Sequence, residues 1–406
     1  MSETGDNAIR NTVAREAVEL LDELLAECLR QDASDLHLAP GLPPYLRVEG
    51  LLEPQEDRPS VSPQEIDAIA GALSAELDRT RLETTGSLDG AMTAPDGTRY
   101  RFNVFRRRGQ LSIALRRLED RFRSLGELGL PDCLYRLCDL PDGLVVVAGP
   151  TGSGKSTTLA TLLDRINRTR RCHMVTIEDP IEYLHEPIMS LVNQRQVGSD
   201  TSSFNDALVA SLRQDPDVIL VGEIRDLGTI RTAITAAETG HLVFTTVHAG
   251  DCVGTIERLV SVFPADEQDG VRRQLSLVLR AILAQHLLVA DGPRFRKRAG
   301  APGDGDQTLS FSMRRRRVVS SEILMVTPAV ANLIATAKSN QIYSAMEAGG
   351  AVGMQTLEQD LARLWVSGAV SETAAVAMAR SPQLLRERAA RLKHRPATPL
   401  QPARGR

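Results

Sequence analysis

Gly149-Pro150-Thr151-Gly152-Ser153-Gly154-Lys155-Ser156 follows a short apolar run at residues 145–148 and opens a stretch of helical periodicity at 155–168. The octapeptide fits the pattern G-x-x-x-x-G-K-[ST] at every position. Its glycines let backbone N–H groups converge on a phosphate, and the N-terminus of the next helix adds positive charge. Strand, loop and helix in this order predict an α/β fold with a nucleotide site.

The loop predicts the ligands as well as the fold. Lys155 is expected to place its charge on the β- and γ-phosphates of ATP, and so to take part in catalysis, while the Ser156 hydroxyl is expected to bind Mg²⁺. The alternative is a glycine turn that matches by chance. The predicted nucleotide-binding residues of the loop are Gly149, Pro150, Thr151, Gly152, Ser153, Gly154, Lys155, Ser156 and Thr157.

Acidic residues follow the next apolar strand, predicted at 175–177. Glu178, Asp179 and Glu182 lie within five residues, at the strand end where a parallel α/β sheet holds its ligand. One of them could polarise the attacking water. A solvated acidic turn is the alternative.

Two further strand ends carry groups suited to phosphate chemistry. Glu223 follows a strand at 218–221 and is expected to hold Mg²⁺ or its waters, because Gly222 occupies the position where an aspartate is more usual. His248 follows a strand at 242–246 and could contact the γ-phosphate, although a lone histidine is more often structural. Helices predicted at 203–213 and 229–239 separate these strands and complete a mostly parallel sheet with helices on both faces.

The first 115 residues predict a separate α+β domain. The helices are expected near 13–25 and at 63–77, the latter capped by Ser62, and the strands at 35–38, 87–91, 100–105 and 111–115. Seven arginines cluster around the last two strands, including Arg101, Arg106 and Arg116. They could reach a nucleotide held by a neighbouring domain or subunit, or form a solvated edge that discourages strand pairing.

Composition and charge narrow the function. The 406-residue chain has a net charge of −4, but residues 291–317 carry +5 and residues 381–406 carry +6. An acidic body with 3% aromatic residues argues against nucleic-acid binding. No apolar run reaches the roughly 18 residues of a membrane span, and the five cysteines form no C-x-x-C pair. We expect a cytoplasmic protein without a transmembrane segment or a structural zinc.

These patterns predict six parts. They are an N-terminal domain at 1–115, a linker at 116–130, the ATPase core at 131–290, a basic insertion at 291–317, a C-terminal helical region at 318–380 and a disordered basic tail at 381–406. After Asp269 the chain is expected to be mainly helical, with one strand at 318–324. We predict that the basic insertion is disordered or a loop and that it meets anionic lipid or an acidic partner surface. A plain solvated loop is the alternative.

Four boxes in order resemble the secretion ATPase superfamily of type II and type IV systems. They are the phosphate loop, the acidic box TIEDPIEY (176–183), the segment RQDPDVILVGEIRD (213–226) and the histidine box TGHLVFTTVHA (239–249). Three further segments resemble the type IV pilus retraction, or twitching motility, branch. These lie at 34–38, 101–106 and 353–361.

The resemblance implies a PAS-like N-terminal domain, a RecA-like core and a homo-hexameric ring with ATP between subunits. It assigns water activation to Glu182, Mg²⁺ to Glu223 and γ-phosphate sensing to His248, with Arg101, Arg106 and Arg116 as nucleotide contacts. It further implies an inner-membrane platform protein as partner, reached from the cytoplasmic face, and a paralogous motor ATPase as a second partner.

One element departs from the retraction branch. Its A-I-R-N-L-I-R-E segment reads A-V-A-N-L-I-A-T at residues 329–336 and lacks both arginines and the acid. Pilus retraction is therefore the first hypothesis. The alternatives are an accessory or regulatory subunit of the same ring, and a motor for type II secretion or pilus extension.

Overall fold

The computed structural model describes residues 3–48, 50–74, 79–118, 121–290, 294–296, 312–314 and 317–393. Two sheets organise these residues into a mixed α/β fold. One sheet has six strands and belongs to the first third of the chain, and the other has seven strands and carries the phosphate loop. Among the described residues no helix is both long and apolar enough to span a membrane.

The six-stranded sheet is antiparallel and has the order β3-β2-β1-β6-β5-β4. Its elements are α1 (Glu3–Arg30), β1 (Asp35–Leu38), β2 (Tyr45–Val48), β3 (Leu51–Pro54), α2 (Pro63–Leu73), α3 (Arg79–Thr85), β4 (Ser87–Thr93), β5 (Arg99–Arg107) and β6 (Gln110–Arg117). Along β5 the buried side chains of Tyr100, Phe102 and Val104 alternate with more exposed ones. This period of two places Arg99 and Arg101 together on the face away from the apolar core.

Most predictions for this region match the observed elements. Ser62 caps α2 in a full capping box with Glu65, and Pro63 stands at the first helical position, where its missing N–H costs nothing. The helix ends at Leu73 rather than at residue 77, and residue 77 lies outside the described range. The strands β2 and β3 were not predicted, because they are four residues long and β3 is exposed throughout.

The seven-stranded sheet has the order β15-β12-β7-β11-β10-β8-β9. The elements up to its last parallel strand are α4 (Leu125–Leu128), β7 (Gly143–Ala148), α5 (Lys155–Thr169), β8 (His173–Glu178), β9 (Leu191–Gln196), α6 (Phe204–Ser211), β10 (Val218–Val221), α7 (Leu227–Glu238), β11 (Leu242–Val247), α8 (Cys252–Ser261), α9 (Gln268–Val278) and β12 (Leu279–Val289). Neighbouring strands from β12 to β9 run parallel. Because β7, β10 and β11 are buried at every residue, their sequences are apolar without alternation.

The expectation of a mainly helical chain after Asp269 is wrong for residues 279–289. These form the eleven-residue strand β12, which pairs with β7 on one side and with β15 (Arg317–Met325) on the other. A strand buried on both faces shows no period of two, so its apolar run looks like a helix segment. The strand predicted at 318–324 is observed as β15.

Helices complete the chain. They are α10 (Pro328–Ala335), α11 (Ile342–Ala348), α12 (Leu357–Val366), α13 (Glu372–Met378) and α14 (Pro382–Lys393). The prediction of a disordered tail from 381 is therefore wrong up to residue 393, since Leu385 and Ala389 of α14 are buried. Residues 394–406 lie outside the described range. So does most of the basic insertion, apart from the short strands β13 (Arg294–Arg296) and β14 (Ser312–Arg314) and the start of β15.

Candidate nucleotide site

The phosphate loop crosses the carboxyl end of β7 and leads into α5. At Gly149, where φ is +151°, an added Cβ would lie 2.5 Å from the carbonyl oxygen of Gln285 on β12. Gly154 caps α5 with φ +93°, a left-handed conformation that glycine adopts without strain. The loop therefore needs both glycines, one for space and one for backbone conformation.

Lys155 is the first residue of α5 and is 9% exposed. Its Nζ donates hydrogen bonds to the carbonyl oxygens of Gly149 and Pro150, both at 3.0 Å. Burial lowers the pKa of this ammonium, whereas the charges of Glu223 and Glu182 raise it. The side chain is thus held across the loop, where it can exchange carbonyl oxygens for phosphate oxygens.

A cavity of about 320 Å³ opens between the loop, α5 and the ends of β8, β10 and β11. The predicted site residues that line it are Arg101, Thr151, Gly152, Lys155, Ser156, Glu182, Glu223 and His248. The cavity therefore brings together the four predicted catalytic side chains. Thr157 accepts a hydrogen bond from the Tyr183 hydroxyl at 3.1 Å and supports the cavity wall.

The acidic box contains two glutamates in different environments. Glu178 accepts hydrogen bonds from Thr176 Oγ1 at 2.7 Å and from Gln194 Nε2 at 3.2 Å, and burial raises the pKa of its carboxyl. The backbone N–H of Glu182 also donates to it. Glu178 therefore shapes the segment that carries Glu182, while Glu182 keeps its own carboxylate in the cavity.

Glu223 lies between the side chains of Arg225 and His248. Its Oε2 is 2.7 Å from Arg225 Nη2 and 3.7 Å from His248 Nε2. Burial, followed by the charges of Lys155 and Arg225, lowers the pKa of His248. The lowered pKa favours the neutral imidazole, which keeps one ring N–H to donate.

The predicted arginines lie in three different places. Arg101 of β5 lines the cavity, with its Nη2 4.0 Å from Asp89 Oδ1. Arg116 lies away from the cavity of its own chain and pairs with Asp35 at 2.8 Å. Arg106 is exposed and does not line the cavity either. The six-stranded sheet thus brings one of the three arginines to the site of the same chain.

Sequence reasoning missed four residues around the cavity. Arg99 is half-buried. Burial lowers the pKa of its guanidinium, and the charge of Glu178 opposes this shift. Phe122, from the predicted linker, stacks on His185 with a centroid distance of 4.7 Å and lies 5.8 Å from the Tyr183 ring. The alternation of β5 could have predicted that Arg99 lies on the same face as Arg101. No local sequence pattern predicts the contacts among Phe122, Tyr183 and His185.

Magnesium fits the donors of this cavity only together with the nucleotide. No group of three or more His, Cys, Asp or Glu side chains suited to a metal exists in the part of the chain that the structure describes. Mg²⁺ commonly takes one or two carboxylates and fills the remaining positions with phosphate oxygens and water. The Ser156 hydroxyl and Glu223 supply such a partial set.

Comparisons with known proteins agree with this site. The family model described as "Type II/IV secretion system protein" matches residues 12–371. The "Type IV pilus retractation ATPase PilT" of Pseudomonas aeruginosa is 42% identical over 89% of this chain and 99% of that protein. A "Twitching motility protein" of Neisseria gonorrhoeae is 40% identical over 82% of this chain and 83% of that protein.

A solved structure agrees as well. It is described as "Crystal Structure of the Pilus Retraction Motor PilT and Bound ADP", and it is 40% identical to this chain with a TM-score of 0.80, covering 90% of this chain and 98% of that one. These findings confirm the resemblance that the four boxes predicted. The chain is a P-loop ATPase that belongs to the type II/IV secretion system protein family.

Proposed function

We propose that this chain is a motor ATPase whose hydrolysis of ATP drives retraction of a type IV pilus. One observation carries the proposal: Lys155, Glu182, Glu223 and His248 share one cavity with Arg101 of the other sheet. A site that spans both sheets can couple hydrolysis to movement between them. The names of the relatives, a pilus retraction ATPase and a twitching motility protein, supply the machine.

The residues assigned to the reaction each have a proposed role. Backbone N–H groups of Gly149 to Ser156 hold the phosphates of ATP, with Thr157 supporting them, and Lys155 neutralises charge as the γ-phosphoryl group leaves. Glu182 orients the attacking water and accepts its proton. His248 donates a hydrogen bond to the γ-phosphate, and Arg101 stabilises charge on the same group. Ser156 and Glu223 would hold Mg²⁺, which would supply positive charge to the phosphates.

The assembly is a further part of the proposal. We infer a homo-hexamer in which Arg106 and Arg116 face the nucleotide of a neighbouring subunit. The six-stranded sheet would form a PAS-like domain at 1–115 and the seven-stranded sheet a RecA-like core at 131–290, joined by residues 116–130. The ring would act on an inner-membrane platform protein from the cytoplasmic side, and a paralogous motor ATPase would be a second partner.

Pilus dynamics in the host cell test the direction of the motor. Cells without this gene should still assemble pili but should not retract them, and the wild-type gene should restore retraction while a Lys155→Ala variant should not. Retraction would be read as the shortening of labelled pili. Cells that fail to assemble pili would indicate an extension motor, and cells that fail only to release a secreted protein would indicate a secretion motor.

One observation favours an accessory subunit as the second candidate. The segment at 329–336 covers most of α10 and its C-cap Thr336, and it lacks the arginines and the acid of the retraction branch. ATPase turnover of the purified chain alone separates the two candidates. Robust turnover supports the motor, whereas turnover that appears only after a paralogous ATPase is added supports the accessory role.

A further inference from the structure

His248 directly follows β11, and the chain after it leads through residues 249–251 into α8. Gly250 presents its carbonyl oxygen 2.9 Å from His286 Nε2. Asp251 then caps α8 by accepting a hydrogen bond from the backbone N–H of Gly254 at 2.6 Å. The backbone that carries the imidazole is therefore fixed on one side by β11 and on the other by whatever holds residues 249–252.

A buried carboxylate holds the end of this segment. Glu322 of β15 is 1% exposed, and its Oε1 accepts a hydrogen bond from the backbone N–H of Cys252 at 2.9 Å. Burial raises the pKa of this carboxyl and the charge of Arg380 lowers it. A buried carboxylate without a partner destabilises the folded state. The hydrogen bond of Glu322 to the start of α8 therefore depends on a nearby cation.

Arg380, between α13 and α14, is that cation. Its Nη2 lies 2.7 Å from Glu322 Oε2 and 3.6 Å from Asp251 Oδ2. Its guanidinium lies 5.7 Å from the centre of the Tyr343 ring, and its backbone N–H donates to Glu358 at 3.1 Å. One residue thus joins α11, through Tyr343, and α12, through Glu358, to both carboxylates that hold the start of α8.

We propose that Arg380 is a positioning residue for His248, through which the C-terminal helices set how strongly the site distinguishes ATP from ADP. The inference rests on the proposed role of His248 as the γ-phosphate contact. Arg380 does not touch the nucleotide cavity. Arg380 fixes Asp251 directly, and it fixes Cys252 through Glu322. These two residues fix the backbone that carries the imidazole, three and four positions earlier in the chain.

Nucleotide binding at equilibrium tests this inference without relying on turnover. The ratio of the dissociation constants of ADP and a non-hydrolysable ATP analogue would be measured in the full chain for the wild type, Arg380→Gln, His248→Ala and the double variant. We expect each single change to lower the preference for the analogue by roughly tenfold, and the double variant to lose no more than either one, as coupled residues do. Additive losses, or an unchanged ratio in Arg380→Gln, would overturn the proposal.

Two controls separate positioning from general destabilisation. Arg363 pairs with Asp360, another carboxylate of 1% exposure, at 2.7 Å, but Asp360 holds the backbone N–H of Ser321 rather than α8. Arg363→Gln should therefore leave the nucleotide preference unchanged.

If Arg380→Gln does not fold, Arg380→Lys keeps the charge beside Glu322 but loses the planar fork, and it should lower the preference while the chain stays folded. If Arg380→Lys leaves the preference unchanged, the proposal fails. If His248→Ala leaves the preference unchanged, the proposed role of His248 is wrong and the inference fails with it. If His248→Ala lowers the preference but the Arg380 variants leave it unchanged, only the inference about Arg380 fails.

Discussion

Gly222 lies where the strand β10 ends against its neighbour. Its backbone N–H donates to the carbonyl oxygen of Ile177 at 2.8 Å, and its own carbonyl oxygen accepts from Thr246 Oγ1 at 2.6 Å. A Cβ added at this position would lie 3.2 Å from the Ile177 oxygen and 3.4 Å from Glu178 Cα. The close packing explains why the acid that follows β10 is Glu223 rather than an aspartate one residue earlier.

A Gly222→Asp substitution should therefore destabilise the protein rather than improve its magnesium site. We expect a loss of about 1–3 kcal/mol in the free energy of unfolding, because the neighbouring backbone must shift. Urea denaturation measures the loss. Gly270→Ala is the matched control, since a Cβ there meets nothing within 4 Å inside a helix. A Gly222→Asp variant as stable as the wild type would contradict the packing argument.

His185 gives the protein a dependence on pH below neutrality. The side chain is 7% exposed, and burial lowers its pKa from 6.5 to about 4. The unfolded chain therefore binds a proton that the folded chain does not, so stability falls as the pH drops from 6.5 towards 4. Between pH 7.5 and pH 5 this residue should remove roughly 2 kcal/mol.

Thermal unfolding of wild type and His185→Phe at several pH values checks this effect. The phenyl ring can still stack on Phe122, and the backbone N–H of residue 185 can still donate to Gln194. The variant should lose less stability than the wild type between pH 7.5 and pH 5. Parallel curves for the two proteins would show that His185 does not titrate in this range.

At the scale of elements, α14 is an integral part of the C-terminal helices. Leu385 is fully buried and packs in one apolar cluster with Leu361 and Leu364 of α12. Leu385→Ala should cost about 2–5 kcal/mol in the free energy of unfolding, as measured by urea denaturation. Leu392→Ala on the same helix changes a side chain that is 38% exposed and should cost less than 1 kcal/mol. Equal effects of the two changes would indicate that α14 is not packed.

The sequence predicts some of these elements better than others. Strand β10 is observed with its predicted bounds, because a short apolar run between acidic turns has few other interpretations. Strand β12 was taken for a helix because burial on both faces removes the alternation. Helix α14 was missed because its many basic side chains resemble a charged tail, and only the folded structure shows that Leu385 and Ala389 are buried.

At the scale of the whole molecule, the connection between the two sheets touches the nucleotide site. Phe122 packs on Tyr183 and His185, which lie one and three residues after Glu182. The Tyr183 hydroxyl in turn donates to Thr157, next to Ser156. Movement of the first sheet can therefore reach Glu182 and the phosphate loop through one aromatic side chain.

Phe122→Ala should lower ATP turnover by roughly tenfold, because Glu182 would lose its fixed position. Nucleotide affinity should change less than twofold, since the phosphate loop itself is unaltered. Steady-state kinetics and equilibrium binding measure the two quantities. Phe122→Leu retains most of the apolar contact and should retain most of the turnover. A fall in affinity equal to the fall in turnover would place the effect on the loop instead.

The candidate site was more predictable than its surroundings. Lys155, Glu182, Glu223 and His248 follow parallel strands or the loop between them, and parallel strands end at one edge of a sheet. Arg101 reaches the cavity and Phe122 reaches Tyr183 and His185 only through packing between segments far apart in the chain. Local sequence patterns carry no information about such packing. For the same reason the sequence could not separate Arg101 from Arg106 and Arg116.

Glu182→Gln tests the central claim most directly, because the change keeps the size of the side chain and removes its ability to accept a proton. The purified variant should bind ATP with the affinity of the wild type, and its release of phosphate should fall by a factor of about 10² or more. A Glu178→Gln variant, which alters a carboxylate that shapes the acidic box, is the comparison and should affect stability as well as turnover. Phosphate release at the wild-type rate by Glu182→Gln would contradict the account.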